Sequence, residues 1–134
     1  MGALVYAYLL TVPVLVALDL GWIGFLMKDF YQSRLAHLLA ATPSIPPGIL
    51  FYLLYPVGIF YFVVSPAWQS GSFSTALFSG AFFGFMVYAV YNLTNLATLN
   101  NWPLSVGIVD SLWGAVLGAV LGGVGYQLLQ FFSK

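Results

Sequence analysis

Four apolar runs, each long enough to cross a bilayer as a helix, leave this chain one class of structure to fold into. They cover about Ala3–Met27, Pro46–Val64, Phe73–Leu99 and Pro103–Phe132. A membrane helix needs roughly 20 mostly apolar residues, rising 1.5 Å apiece. Hydrophobic residues make up 62% of the 134 and charged residues 4%, where a soluble domain carries about 25% charged. A soluble fold of this length would have nothing with which to cover its surface, so the bilayer is the expected solvent. The expectation is one all-α unit over residues 1–134, a polytopic bundle of four transmembrane helices. The opening MGALVYAY lacks the basic region of a secretory signal and is read as the start of a retained first helix.

The punctuation agrees with four spans. TPSIPPG (Thr42–Gly48) precedes the second run, SPAWQSGS (Ser65–Ser72) separates the second from the third, and NNWP (Asn100–Pro103) makes a tight turn before the fourth. Pro46, Pro47 and Pro103 stand where a helix start accepts proline. Pro13 and Pro56 fall inside spans and should bend them. Between the first two runs, Lys28–Ala41 places Tyr31, Leu35, Leu38 and Leu39 on one helical face and Gln32, Ser33, Arg34 and His37 on the other. That pattern predicts a short helix lying in the membrane interface, with an irregular polar loop as the competing reading. Arg34 and His37 on its polar face are candidates to hold a lipid headgroup.

An even number of spans puts both termini on one side and the loops after the first and third runs on the other. The loop side carries Lys28 and Arg34, the terminal side Lys134. This excess of basic residues favours a cytoplasmic loop side; the margin is narrow and dual insertion stays open. A net charge of zero offers no basic stripe to nucleic acid. With no cysteine and one histidine, His37, neither a metal site nor a cofactor is expected.

Two of the three acidic residues sit inside the apolar runs: Asp19 in the first, Asp110 in the fourth. A carboxylate at membrane depth costs about 2.5–3.5 kcal/mol and marks a functional site by default. Counted from the loop side at helical rise, Asp19 lies about 12 Å deep and Asp110 about 10 Å deep. Asn92 and Asn95 on the third run, and Tyr52 and Tyr55 on the second, fall at about 6–14 Å by the same count. Tyr88 and Tyr91 precede the asparagines by a turn, while Trp22 and Trp113 each follow an aspartate by three residues. These ten residues are the candidate lining of one polar pocket, in which carboxamides and phenols can donate to the carboxylates. Two alternatives stay open. The aspartates could serve only to fix helix register, and Trp22 and Trp113 could belong to interfacial aromatic belts, the assignment preferred for Trp68 and Trp102. Gly114, Gly118 and Gly122 continue the Asp110 face, and Ala76, Gly80 and Gly84 lead towards Tyr88 and Asn92. Such small-residue stripes let helices approach closely, within one chain or between copies, and they are the expected route to a homo-oligomer.

YAVYNLTNLATLNNW (Tyr88–Trp102) followed by VDSLWG (Val109–Gly114) resembles a bacterial integral membrane family, domain-of-unknown-function family 2177. DLGWIG (Asp19–Gly24) and FYLLYPVGIFYF (Phe51–Phe62) are similar to the same pattern, so the likeness spans nearly the whole chain. It implies a four-helix protein of the bacterial inner membrane and no particular activity. The family pattern tends to carry an aspartate where this chain has Asn92, so a third intramembrane acid is missing here.

Three functions fit these residues. A small transporter could exchange protons for a polar, cationic or amphiphilic solute at a buried carboxylate; four short helices enclose little volume, which favours two or more copies as the working unit. An intramembrane enzyme could use two carboxylates as acid and base on a lipid or isoprenoid. A non-catalytic accessory or lipid-binding subunit needs neither. Solute binding and transport is the preferred expectation, with Asp110 ahead of Asp19 as the titrating group.

Overall fold

The computed structural model describes residues 1–134. It is all helical, with four helices long and apolar enough to span a membrane. They are α1 (Gly2–Leu26), α3 (Ile45–Ser70), α4 (Phe73–Thr98) and α5 (Leu104–Phe132), and a short α2 (Lys28–Leu35) follows α1. The surface is that of a membrane protein: 28 of 134 residues are buried, and Phe25, Leu54, Phe62, Phe78 and Phe82 point outward. In lipid those side chains incur no hydrophobic penalty, and every backbone group must find its partner inside the helices.

The spans start and stop for identifiable reasons. Pro46 and Pro47 open α3 in its first turn, where no N–H is needed. Pro103 caps α5 in extended backbone, and Asn101 in the preceding turn takes the left-handed conformation (φ 64°) that asparagine tolerates. The Ser65–Ser72 segment is not the connection that its composition suggests. Helix α3 continues through it to Ser70, by way of a widened π turn over Phe60–Val64. In an unbroken α-helix the Pro66 ring would press on the Phe62 carbonyl, and the extra residue in the turn before it relieves that clash. The stop is Gly71, left-handed at φ 69°, and Ser72 then caps α4 by accepting from the Thr75 N–H at 3.1 Å. Ser72→Ala should therefore cost about 1 kcal/mol, read as a lower melting temperature in detergent.

α4 and α5 form the tightest pair. Gly80 faces Gly118, Gly84 faces Gly114, and Ala76 faces Gly122, so the two helices run antiparallel with their backbones in contact. A Cβ on Gly80, Gly84 or Gly118 would collide with a carbonyl of the facing helix. Both glycine stripes are thus spent inside one chain. This corrects the expectation that they join copies: an oligomer would have to use other faces. α1 and α3 pack over this pair, through a core of Ala7, Leu15, Tyr55, Ile59, Leu117 and Leu121.

Candidate functional site

The glycine contact ends at Gly114, where the Tyr88 ring begins to hold α4 and α5 apart. Asp110 stands one turn further, at the mouth of the separation. Its two oxygens are each claimed by a donor. Oδ2 accepts from Asn92 Nδ2 at 2.7 Å, and Oδ1 accepts from the Tyr31 hydroxyl at 2.9 Å. Asn92 is 1% exposed and uses both N–H donors and its carbonyl oxygen. Its amide also donates to the Tyr88 carbonyl at 2.9 Å, and its Oδ1 accepts from the Trp102 indole at 3.3 Å. Tyr31 in turn accepts from the Trp22 indole N–H at 2.9 Å. A continuous chain of donors therefore runs from α1 through α2 to Asp110, and another from the α4–α5 turn through Asn92. Burial raises the Tyr31 phenol above its ordinary pKa, so this hydroxyl stays protonated and remains a donor at physiological pH.

Asp19 has a simpler setting. The Tyr52 hydroxyl donates to its Oδ2 at 2.8 Å. Asp110 is near enough to act on it electrostatically, and Tyr88 lies within the influence of both carboxylates. Trp22 and Trp113, one turn beyond the respective aspartates, stack face to face at 4.4 Å and 3°. They join α1 to α5 inside the bundle, which is a different place from an interfacial belt. No basic side chain neighbours either carboxylate.

One side of this network is open. A cleft of about 600 Å³ is lined by Asp110, Tyr31, Tyr88, Tyr91 and Trp102, and by aliphatic side chains from Ile23, Leu35, Leu38, Leu39, Val87 and Val106, with Phe51. Ile23, Leu38, Leu39, Val87 and Tyr91 are exposed, so the cleft opens to the protein surface among apolar groups. Asp110 is its one charged residue. Asp19, Tyr52, Tyr55 and Trp113 lie outside the lining.

The sequence-derived residues thus divide. Asp110, Tyr88 and Tyr91 border the cleft, with Tyr91 edge-on to Trp102 at 6.1 Å. Asn92 and Trp22 support it from behind, by direct bonding and through Tyr31. Asp19 and Tyr52 form an adjoining pair, with Tyr55 and Trp113 packed near them. Asn95 takes no part in the hydrogen bonds around Asp110 and does not border the cleft. Arg34 and His37 remain exposed, but Arg34 also ties α2 to the start of α5, and His37, just past α2, reaches the turn before α5. Arg34 Nε donates to Ser105 Oγ at 3.1 Å and rests its guanidinium over Phe30 at 4.2 Å; His37 Nε2 lies 3.2 Å from the Asn101 carbonyl.

Two participants were absent from that set. Tyr31 is buried at 4% exposure, and its signal was a lone hydroxyl on the apolar face of the α2 pattern. Trp102 turns inward to Asn92 instead of outward to an interface; a tryptophan beside a tight turn carries no mark of which way it will face.

An all-helical integral membrane protein with a hydrogen-bonded carboxylate at an apolar cleft is the class that this arrangement defines. Residues 4–127 match domain-of-unknown-function family 2177, described as a predicted membrane protein, and the chain belongs to that family. No curated protein and no solved structure matches the chain.

Proposed function

We propose that this protein binds a small cationic amphiphile at Asp110 and carries it across the membrane in exchange for a proton. The observation that supports this reading is a carboxylate with two neutral donors and no cation of its own, bordering an apolar cleft that opens to the protein surface. Two donors leave lone pairs of a carboxylate free. A cationic head can occupy them while its apolar part lies along Leu35, Val87 and Val106. A charge at this depth costs several kcal/mol unless neutralised, and a proton and a bound cation each neutralise it. They compete for one group, and that competition is the coupling. A reaction needing both carboxylates on one ligand receives less support, because Asp19 does not border the cleft. If two or more copies form the working unit, they meet through faces other than the glycine stripes.

Uptake of ethidium, an aromatic cation with amino donors, into proteoliposomes under an imposed pH gradient tests the proposal. Accumulation that follows the gradient and exceeds that of protein-free liposomes is expected. Equal accumulation with and without protein would remove transport from the account.

A further inference from the structure

The hydrogen bonds that carry α2 into the interior of the bundle pass through one side chain, Tyr31. Its hydroxyl donates to Asp110 Oδ1 at 2.9 Å and accepts from the Trp22 indole at 2.9 Å. Around that bond Tyr31 and Leu35 pack on Val106, all three buried, with Met27, Phe30 and Trp102 against them. Val106 stands one turn before Asp110, towards the loop-side end of α5, and is 1% exposed. These side chains close the way from Asp110 to the loop side. The other ties are exposed: Arg34 to Ser105, and His37, just past α2, to the Asn101 carbonyl. Neither end of α2 is continuous with a span. Met27 before it leaves the helical region at φ −117° and ψ 19°, and after Leu35 the next helix starts at Ile45. A few such residues at the ends of an element are enough to absorb a hinge motion.

We propose that α2 is a gate between Asp110 and the loop-side solution, latched by the Tyr31–Asp110 bond while the carboxylate is charged and released when it takes a proton. A hydrogen bond to an ionised acceptor is roughly twice as strong as one between neutral groups, so a proton on Asp110 weakens the latch. It also puts an O–H where Tyr31 and Asn92 both donate. Asn92 is fixed within α4 by the Tyr88 carbonyl and Trp102. Tyr31, on the segment broken at both ends, is the one that yields. The other titratable groups around the latch do not hold α2. Asp19 of α1 acts on Asp110 through space and is bonded to Tyr52 of α3; Tyr55 of α3 packs on Tyr88 of α4, which borders the cleft. Lys28, Asp29 and Arg34 are exposed on α2. A charged imidazole donates from both ring nitrogens, so protonating His37 leaves its bond to Asn101 in place. The gate concerns access to Asp110 and not what binds there, so it goes beyond the transport reading and its test needs no cation.

The chain has no cysteine, so Val106→Cys places a single thiol beneath the gate. Its rate of reaction with a membrane-impermeant maleimide is measured on the full chain in nanodiscs of synthetic phosphatidylcholine. That rate is divided by the rate for Gln32→Cys, exposed on α2, at the same pH. The ratio reports opening and cancels the effect of pH on the labelling chemistry. At neutral pH it should lie far below one, and it should rise several-fold on acidification. Tyr31→Phe removes the latch and should raise the neutral ratio about tenfold, the equivalent of one bond to a charged group. Asp110→Asn imitates the protonated carboxyl; it should raise the ratio likewise and abolish the response to acid. Leu35→Cys, on the gate and 7% exposed, repeats the measurement should Val106→Cys not fold. A ratio that acid leaves unchanged would overturn the gate. So would an acid response that persists in Asp110→Asn, or a Tyr31→Phe protein that labels as slowly as its parent.

Discussion

Gly118→Leu should prevent the protein from reaching its folded state. A Cβ at this position meets the Gly80 carbonyl and the Gly84 Cα across the interface, and all of these atoms belong to backbone that no rotamer change can move. α4 and α5 would have to separate along their whole glycine contact, taking Asp110 away from Asn92. Overpacking a core costs about 1–3 kcal/mol when side chains can adjust; here they cannot, so the loss should reach the upper end of that range or exceed it. Gly24→Leu is the control, since a Cβ on Gly24 meets nothing within 4 Å. Monodisperse yield and melting temperature in one detergent decide the comparison. Equal behaviour of the two variants would mean that α4 and α5 do not pack as described.

Asp110→Asn should weaken ethidium binding severely while leaving the bundle assembled. The substitution removes the charge and puts an amide N–H₂ where a second oxygen accepted. Either Tyr31 or Asn92 then faces a donor. Truncating one partner of a buried charged pair typically costs about 2–5 kcal/mol of binding, so affinity should fall on the order of 100-fold, at about 1.4 kcal/mol for each factor of ten. Asp19→Asn should weaken binding much less, because Asp19 does not border the cleft. The pH dependence has a fixed sign. Proton and cation compete for Asp110, so wild-type affinity should drop as pH falls, and the Asp110→Asn protein should show no such drop. Ethidium titrations by fluorescence at two pH values measure both. A variant that binds as tightly as wild type would separate the cleft from any role for Asp110.

How much of this was legible in the sequence follows from which forces act locally. The four spans were readable because bilayer thickness fixes their length and composition, and each proved within a few residues of its pattern, apart from the end of α3. The depth of Asp19, Asp110, Asn92 and Tyr52 follows from a count along each helix, and the structure pairs Asp110 with Asn92 and Asp19 with Tyr52. Azimuth was harder. Asn95 sits three residues beyond Asn92, which turns it about 60° around the helix, and that rotation is enough to carry it away from Asp110. Tyr31 and Trp102 reach the site from outside the spans; the α2 pattern put Tyr31 on the apolar face without showing what it meets, and no periodicity reports the direction of Trp102. The run from Ser65 to Ser70 has the composition of a turn, yet its helix is kept by a π turn that accommodates Pro66. Such a turn depends on the geometry of the preceding residues more than on their identities.

The account rests on Asp110 being the carboxylate that faces a ligand at the open side of the bundle. Dicyclohexylcarbodiimide, an apolar reagent that attaches to protonated carboxyl groups within membranes, measures this directly when the modified residue is located by peptide mass spectrometry. Adduct should form on Asp110 well ahead of Asp19, and saturating ethidium should slow it. Modification that favours Asp19, or an Asp110 adduct that forms at the same rate with ethidium present, would contradict the account.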